Sequence, residues 1–172
     1  MFQIYRRTVV GFGDKQMILE EGKSPPAFTL RDMRGNKVAL RDFLGKQVVI
    51  YFYPKDDTPG CTKEACGFRD VHDALQELDV VVLGVSPDGP EAHQKFAAKY
   101  ELPFVLLCDP EKKVMEKYGA YGEKTLYGKK TVGVIRSTVV LDAGGKVTKH
   151  WRRVTKSADH PAQVLAFLQA QR

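Results

Sequence analysis

The chain has 172 residues, 43% of them apolar, and its mixed charges sum to +6, a composition that suits one globular domain. The basic residues are scattered rather than interleaved with aromatic residues in a stripe, which argues against a nucleic-acid-binding protein. Three cysteines do not make a secreted disulfide scaffold, and four widely spaced histidines argue against a zinc site. No apolar stretch approaches the ~20 residues that cross a bilayer, so no membrane association is expected.

Residues 1–16 differ in composition from the rest of the chain. The pair Arg6-Arg7 is reminiscent of a twin-arginine export signal, but Gly11, Gly13 and Asp14 interrupt the apolar region that such a signal needs. We therefore expect a cytoplasmic protein. In this interpretation residues 1–16 are a disordered extension or precede the true start, and residues 17–172 form the functional domain.

Strands and helices alternate from residue 23 onward. The predicted strands are a hairpin at 27–30 and 37–40, three buried strands at 48–53, 80–86 and 104–108, and a hairpin at 137–141 and 146–151. The predicted helices are 59–78, 91–100, 110–118 and 159–171. The glycine- and lysine-rich segment 119–133 is predicted to be a loop. This order predicts an α/β fold with a central mixed sheet and helices on both faces.

The segment 54–66 carries the strongest functional signal. It follows the apolar strand 48–53 directly, and Thr58 and Pro59 are residue types that favour the start of a helix. Cys61 would then lie in the first helical turn, where unpaired amides and the helix dipole favour a thiolate. The alternative is a structural cysteine, but its neighbours are Pro, Gly, Thr and Lys rather than apolar residues. We therefore predict that Cys61 is a nucleophile.

The pattern Pro-x-x-x-Thr-x-x-Cys, with a second cysteine five residues later, closely resembles the peroxiredoxins of the bacterioferritin-comigratory or PrxQ group. This resemblance implies a thioredoxin-like fold and a thiol peroxidase that reduces hydrogen peroxide and organic hydroperoxides. The resemblance also implies that Cys61 attacks the peroxide and becomes a sulfenic acid, that Thr58 orients the peroxide, and that Pro54 shields the cysteine from water. Without the resemblance, Thr58 is only a helix cap and Pro54 only ends a strand.

Arg136 precedes the predicted strand 137–141 and matches the second signature of the same family. Spacing alone would describe it as a solvated charge. The resemblance makes it the cation over Cys61, which holds the thiolate and stabilises the negative charge that develops on the departing oxygen.

Cys66 matches the resolving cysteine of the PrxQ group. In an ideal helix, five residues correspond to ~7.5 Å of rise and ~140° of rotation, so the two Cα atoms lie about 8.6 Å apart. A disulfide needs a Cα separation below roughly 7 Å, so the helix must unwind before Cys61 and Cys66 can bond. Gly67 would ease that unwinding, because glycine is a poor helix former. Cys108 lies in a buried-strand pattern and is expected to pack in the core.

The resemblance further implies that thioredoxin or a similar dithiol regenerates the cysteine pair, and that no metal, haem or flavin takes part. An intramolecular resolving cysteine makes a monomer sufficient. Two alternatives stay open at this point. A thioredoxin-like disulfide reductase would favour the closer Cys-x-x-Cys spacing. A peroxide sensor or a chaperone would be oxidised once rather than turn over.

Overall fold

The computed structural model describes residues 17–172, so the expectations for residues 1–16 lie outside the described residues. The described chain contains nine strands, five α-helices and a short 3-10 helix at Leu40–Phe43. The strands are β1 Thr29–Asp32, β2 Lys37–Ala39, β3 Gln47–Phe52, β4 Val80–Ser86, β5 Val105–Cys108, β6 Tyr121–Leu126, β7 Lys129–Val134, β8 Ser137–Leu141 and β9 Val147–Trp151. The helices are α1 Pro59–Asp70, α2 His72–Glu77, α3 Pro90–Tyr100, α4 Lys113–Lys117 and α5 His160–Gln169.

Seven strands form one mixed sheet in the order β2-β1-β5-β4-β3-β8-β9. The central pairs β3–β4 and β4–β5 are parallel, and the flanking pairs are antiparallel. The apolar run in β3 is buried on both faces, as strands in parallel arrangements commonly are. The predicted mixed α/β sheet is therefore confirmed.

Alternating residues of β3 enter two separate cores. Val49 and Tyr51 face a core that also receives side chains from α1, α3 and α5. Val48, Ile50 and Phe52 face the opposite core, which α4 helps to cover. Helices thus cover both faces of the sheet, as predicted. None of the helices within residues 17–172 is long and apolar enough to span a membrane.

Two predicted helices have different bounds in the structure. The single helix predicted at 59–78 is divided at Val71, where the backbone leaves helical geometry (φ −98°, ψ 4°) between α1 and α2. The helix predicted to begin at Pro110 begins instead at Lys113, after Lys112 adopts a left-handed conformation (φ 60°). The Asp109 carboxylate still caps that helix, because it accepts a hydrogen bond from the Met115 amide at 2.8 Å.

The prediction of a loop at 119–133 is wrong, because this segment forms the antiparallel hairpin of β6 and β7. Tyr127 and Gly128 make the two-residue connection, and both have positive φ (50° and 76°), as a type I′ turn requires. Most side chains of the hairpin are exposed or half-buried, so the sequence carries no apolar alternation to mark the strands. The hairpin connects α4 to the segment that carries Arg136.

Candidate active site

Cys61 lies in the first turn of α1, as predicted. Pro59 is the first residue of the helix, and Thr58 precedes it with an extended backbone (φ −98°, ψ 155°). The first helical bond runs from the Thr62 amide to the Thr58 carbonyl at 2.8 Å. The Cys61 side chain is buried, with 1% exposed, in the core between the sheet and the helices. Cys61 therefore lies at the end of the helix where the first amides have no helical acceptor and the helix dipole is positive.

Arg136 joins Cys61 to a buried carboxyl group. Its Nη2 donates to Cys61 Sγ at 3.3 Å, and its Nη1 donates to Glu64 Oε1 at 2.9 Å. The guanidinium therefore uses two nitrogens of its planar fork at once, which a lysine ammonium cannot reproduce with the same geometry. The structure brings together two residues that are 75 positions apart in the chain.

Glu64 was not predicted from the sequence. Its side chain is fully buried, and its second oxygen, Oε2, has no hydrogen-bond partner within the described structure. Burial raises the pKa of Glu64 to about 7, while Arg136 pulls it down. Its position three residues after Cys61 places both side chains on one face of a helix, and this spacing is the signal that could have revealed it.

Gly60 also belongs to the site and was not singled out. A Cβ atom at this position would lie 3.2 Å from Arg136 Nη2. The absence of a side chain therefore allows the guanidinium to approach the start of α1. A side chain at this position would require the guanidinium to shift by a few tenths of an ångström.

Thr58 and Pro54 lie in the loop that connects β3 to α1, and both are half-buried. The Thr58 hydroxyl donates to the Lys55 carbonyl at 2.9 Å and does not cap the helix. The interpretation of Thr58 as a side-chain cap is therefore wrong, although its backbone does hold the cap position. Its hydroxyl is instead oriented by the loop itself.

Cys66 lies on the same continuous helix as Cys61, and both are free thiols. Gly67, which follows, packs closely against α5, because a Cβ atom there would lie 2.7 Å from Pro161 Cγ. Gly67 is therefore needed for helix packing, in addition to the predicted effect on helix stability. Cys108 is buried at the end of β5, as expected, and burial raises the pKa of its thiol to about 11.

Comparison with known proteins identifies the family of this chain. The model of the AhpC/TSA family matches residues 22–150. Peroxiredoxin Bcp of Bacillus subtilis is 47% identical over 152 residues, which cover 88% of this chain and 96% of that protein. The chain is a member of the AhpC/TSA family and of its Bcp/PrxQ peroxiredoxins. A putative peroxiredoxin bcp of Coxiella burnetii is 49% identical over 152 residues, covering 88% of this chain and all of that protein.

A solved structure of the Xanthomonas campestris bacterioferritin comigratory protein is similar to this peroxiredoxin. Its TM-score is 0.78 at 37% identity, with 84% of this chain and 91% of that chain covered, and it concerns that protein's alkyl peroxide reduction activity. The likeness confirms the thioredoxin-like fold. Because peroxiredoxins are thiol peroxidases, the protein is an enzyme and an oxidoreductase that acts on peroxides with a reductant.

Proposed function

We propose that Cys61 is the peroxidatic cysteine and that Arg136, Thr58 and Pro54 serve its reaction with peroxide. The observation that carries this proposal is the 3.3 Å contact between Arg136 Nη2 and Cys61 Sγ at the start of α1. A cation beside a sulfur in the first turn of a helix favours the thiolate, which is the nucleophilic form. Cys108 is a poor candidate for this role, because burial and nearby carboxylates raise the pKa of its thiol to about 11.

In the first step the Cys61 thiolate attacks one oxygen of the hydroperoxide. A sulfur–oxygen bond forms, the oxygen–oxygen bond breaks, and its electron pair passes to the other oxygen, which takes up a proton and leaves as water or an alcohol. The Arg136 guanidinium lies where it can stabilise the charge on that departing oxygen. We assign the orientation of the peroxide to the Thr58 hydroxyl and the exclusion of water to Pro54.

In the second step the Cys66 thiol attacks the sulfenic sulfur of Cys61. A disulfide forms and the sulfenic oxygen leaves as water. Both cysteines lie on one unbroken helix in the reduced protein. Because five helical residues hold two Cα atoms about 8.6 Å apart, this step needs α1 to unwind locally.

In the third step an external dithiol, thioredoxin or a similar protein, reduces the disulfide by thiol–disulfide exchange and closes the cycle. We propose hydrogen peroxide and organic hydroperoxides as substrates, in line with the alkyl peroxide reduction of the Xanthomonas relative. The intramolecular resolving cysteine is compatible with a monomer. We further propose that the protein works in the cytoplasm and that residues 17–172 carry the whole activity, with residues 1–16 outside it.

The residue assignment is tested by turnover with a thioredoxin system. Cys61→Ser should abolish activity, because an alcohol cannot supply the nucleophile at neutral pH. Cys108→Ser is the matched control, since this other buried cysteine should leave turnover near the wild-type rate. Substantial turnover by the Cys61 variant, or equal losses in both variants, would contradict the assignment.

A further inference from the structure

A buried histidine lies behind the loop that leads to Cys61. His93 is in the first turn of α3, and its side chain is fully buried. Its Nδ1 lies 2.6 Å from Asp56 Oδ2, and its Nε2 lies 3.0 Å from the carbonyl of Leu107. Asp56, 8% exposed, belongs to the loop between β3 and α1. The pair therefore links the active-site loop to α3 and to β5.

The partners of His93 determine where its protons lie. The Leu107 carbonyl can only accept a hydrogen bond, so Nε2 must donate to it. The contact of 2.6 Å between Nδ1 and Asp56 Oδ2 joins the other ring nitrogen to the carboxyl group. Both side chains are buried, so removing one of them leaves the facing polar atom of the other without its hydrogen-bond partner.

The surrounding residues complete a closed network. The Tyr53 hydroxyl donates to Asp56 Oδ1 at 2.6 Å, and the Asp56 amide donates to Asp88 Oδ2 at 2.8 Å. The Ser86 hydroxyl also donates to Asp88 Oδ2, at 2.7 Å. Although Asp56, Asp88 and His93 are close enough together to suggest a metal site, both oxygens of Asp56 and both nitrogens of His93 already have protein partners. We therefore interpret the cluster as a hydrogen-bonded support.

The hydrogen bonds of this support connect the loop between β3 and α1 to the sheet and to α3, and none of them involves α1. Tyr53 follows β3, Ser86 ends β4 and Leu107 lies on β5, so the network joins the ends of three neighbouring parallel strands. A second, exposed link lies next to it, where Asp57 accepts hydrogen bonds from Lys99 Nζ at 2.9 Å and from the Tyr100 hydroxyl at 2.8 Å. Both links remain possible when α1 changes conformation.

We propose that the Asp56–His93 pair positions the loop 54–58 for reaction with peroxide and sets the boundary at which the unwinding of α1 stops. The inference rests on the proposed function, because it assumes that Cys61 is oxidised and then bonds to Cys66. The loop keeps its place in both redox states, while the helix that follows Thr58 opens. Reduction can then restore the site by rewinding α1 onto a loop that has not moved.

The first test is hydrogen exchange of the wild-type protein in its reduced and oxidised states. Oxidation should remove protection from the amides of 62–66, which begin the helical hydrogen bonds of α1. The amides of Tyr53 and Asp56, which donate to the Val85 carbonyl and to Asp88, should stay protected. Peptide mapping of the same oxidised sample identifies the disulfide. If the Cys61–Cys66 bond is absent, the proposed function fails; if it is present and residues 53–57 lose protection with α1, the inference alone fails.

The second test separates positioning from general loss of structure. In a Cys66→Ser background, His93→Gln and Asp56→Asn should each slow the oxidation of Cys61 by peroxide by roughly tenfold to a hundredfold, because reaction depends on a correctly placed loop. Alkylation of Cys61 by iodoacetamide, which does not need peroxide to be oriented, should keep its rate. The double variant should be no slower than the slower single variant, because both changes remove one link.

Lys95→Gln is the matched control. Lys95 lies on α3 two residues from His93, but its side chain is exposed and pairs only with Glu91 in the described part of the chain. In the Lys95→Gln variant, the rates of oxidation and alkylation of Cys61 should equal those of the Cys66→Ser parent. If peroxide oxidation is unchanged in the two network variants, or if alkylation falls as much as oxidation, the positioning role is wrong. If His93→Gln does not fold, the Asp56→Asn rates and the wild-type exchange pattern still decide the question.

Discussion

Replacing Glu64 by glutamine should change how the stability of the protein depends on pH. The pKa of Glu64 is raised to about 7 from an ordinary 4.5, mainly because the carboxyl group is buried. Between these pH values the folded protein keeps a proton that the unfolded chain has lost. Folding then takes up a proton, and the free energy of unfolding falls as the pH rises. Glutamine has nearly the same shape and keeps an oxygen for Arg136 but has no charge to bury.

The size of the effect follows from the two pKa values. The difference between the ordinary pKa of 4.5 and the raised pKa of about 7 corresponds to about 3 kcal/mol, at roughly 1.4 kcal/mol for each pKa unit. The free energy of unfolding of the wild type, minus that of Glu64→Gln, should therefore fall by about 3 kcal/mol across this window. Below pH 4.5 the carboxyl group is protonated in both states, and above about 7 it is ionised in both, so the difference should level off at each end.

Urea unfolding of the reduced proteins at several pH values measures this difference. Glu77→Gln in α2 is the matched control, because it removes an exposed carboxylate to which burial adds no cost. A difference between wild type and Glu64→Gln that stays constant from pH 4.5 to 8 would refute the argument that Glu64 is buried with a raised pKa. A difference that grows with pH would show that Arg136 outweighs burial.

Arg136→Ala should slow the oxidation of Cys61 by peroxide by roughly 10²–10³-fold, because it removes a donor to the departing oxygen. Stopped-flow kinetics measure this rate. Arg136→Lys should recover only part of the rate, since lysine lacks the planar fork, and full recovery would contradict a role for that geometry. Gly67→Ala should destabilise the protein by about 1–2 kcal/mol, because the new Cβ would meet Pro161 at 2.7 Å. Gly89→Ala, at a site with open space, is its control for thermal unfolding. In the Cys66→Ser variant, excess peroxide should overoxidise Cys61 to the sulfinic acid. Mass spectrometry would show this as a gain of about 32 Da for two oxygens. An unmodified Cys61 in that experiment would argue against Cys66 as its resolving partner.

The elements that build the site were predictable because they rest on local signals. The apolar run of β3 and the helix start at Thr58-Pro59 are both recognisable from a few consecutive residues. The position of Cys61 in the first helical turn could therefore be predicted. The β6–β7 hairpin was missed because its exposed strands lack an apolar pattern. The break at Val71 was missed because the helical pattern continues through it.

Long-range contacts limited what the sequence could reveal about the site. The contact of Arg136 with Cys61 spans 75 residues, and only the family resemblance suggested it. Glu64 looks like an ordinary surface residue of a helix until packing buries it. Asp56 and His93 are 37 residues apart, and their pairing depends on how α3 packs against the loop after β3. The contacts of Arg136 with Cys61 and of Asp56 with His93 are products of tertiary packing, which local periodicity and spacing do not encode.

The most direct test of the account is the identity of the disulfide that forms when the wild-type protein meets one equivalent of peroxide. Proteolysis under non-reducing conditions, followed by mass spectrometry, locates the bond. We expect a single bond between Cys61 and Cys66, formed although both residues lie on one helix in the reduced protein. A bond between Cys61 and Cys108, or a Cys61 sulfenic acid that persists without a disulfide, would contradict it.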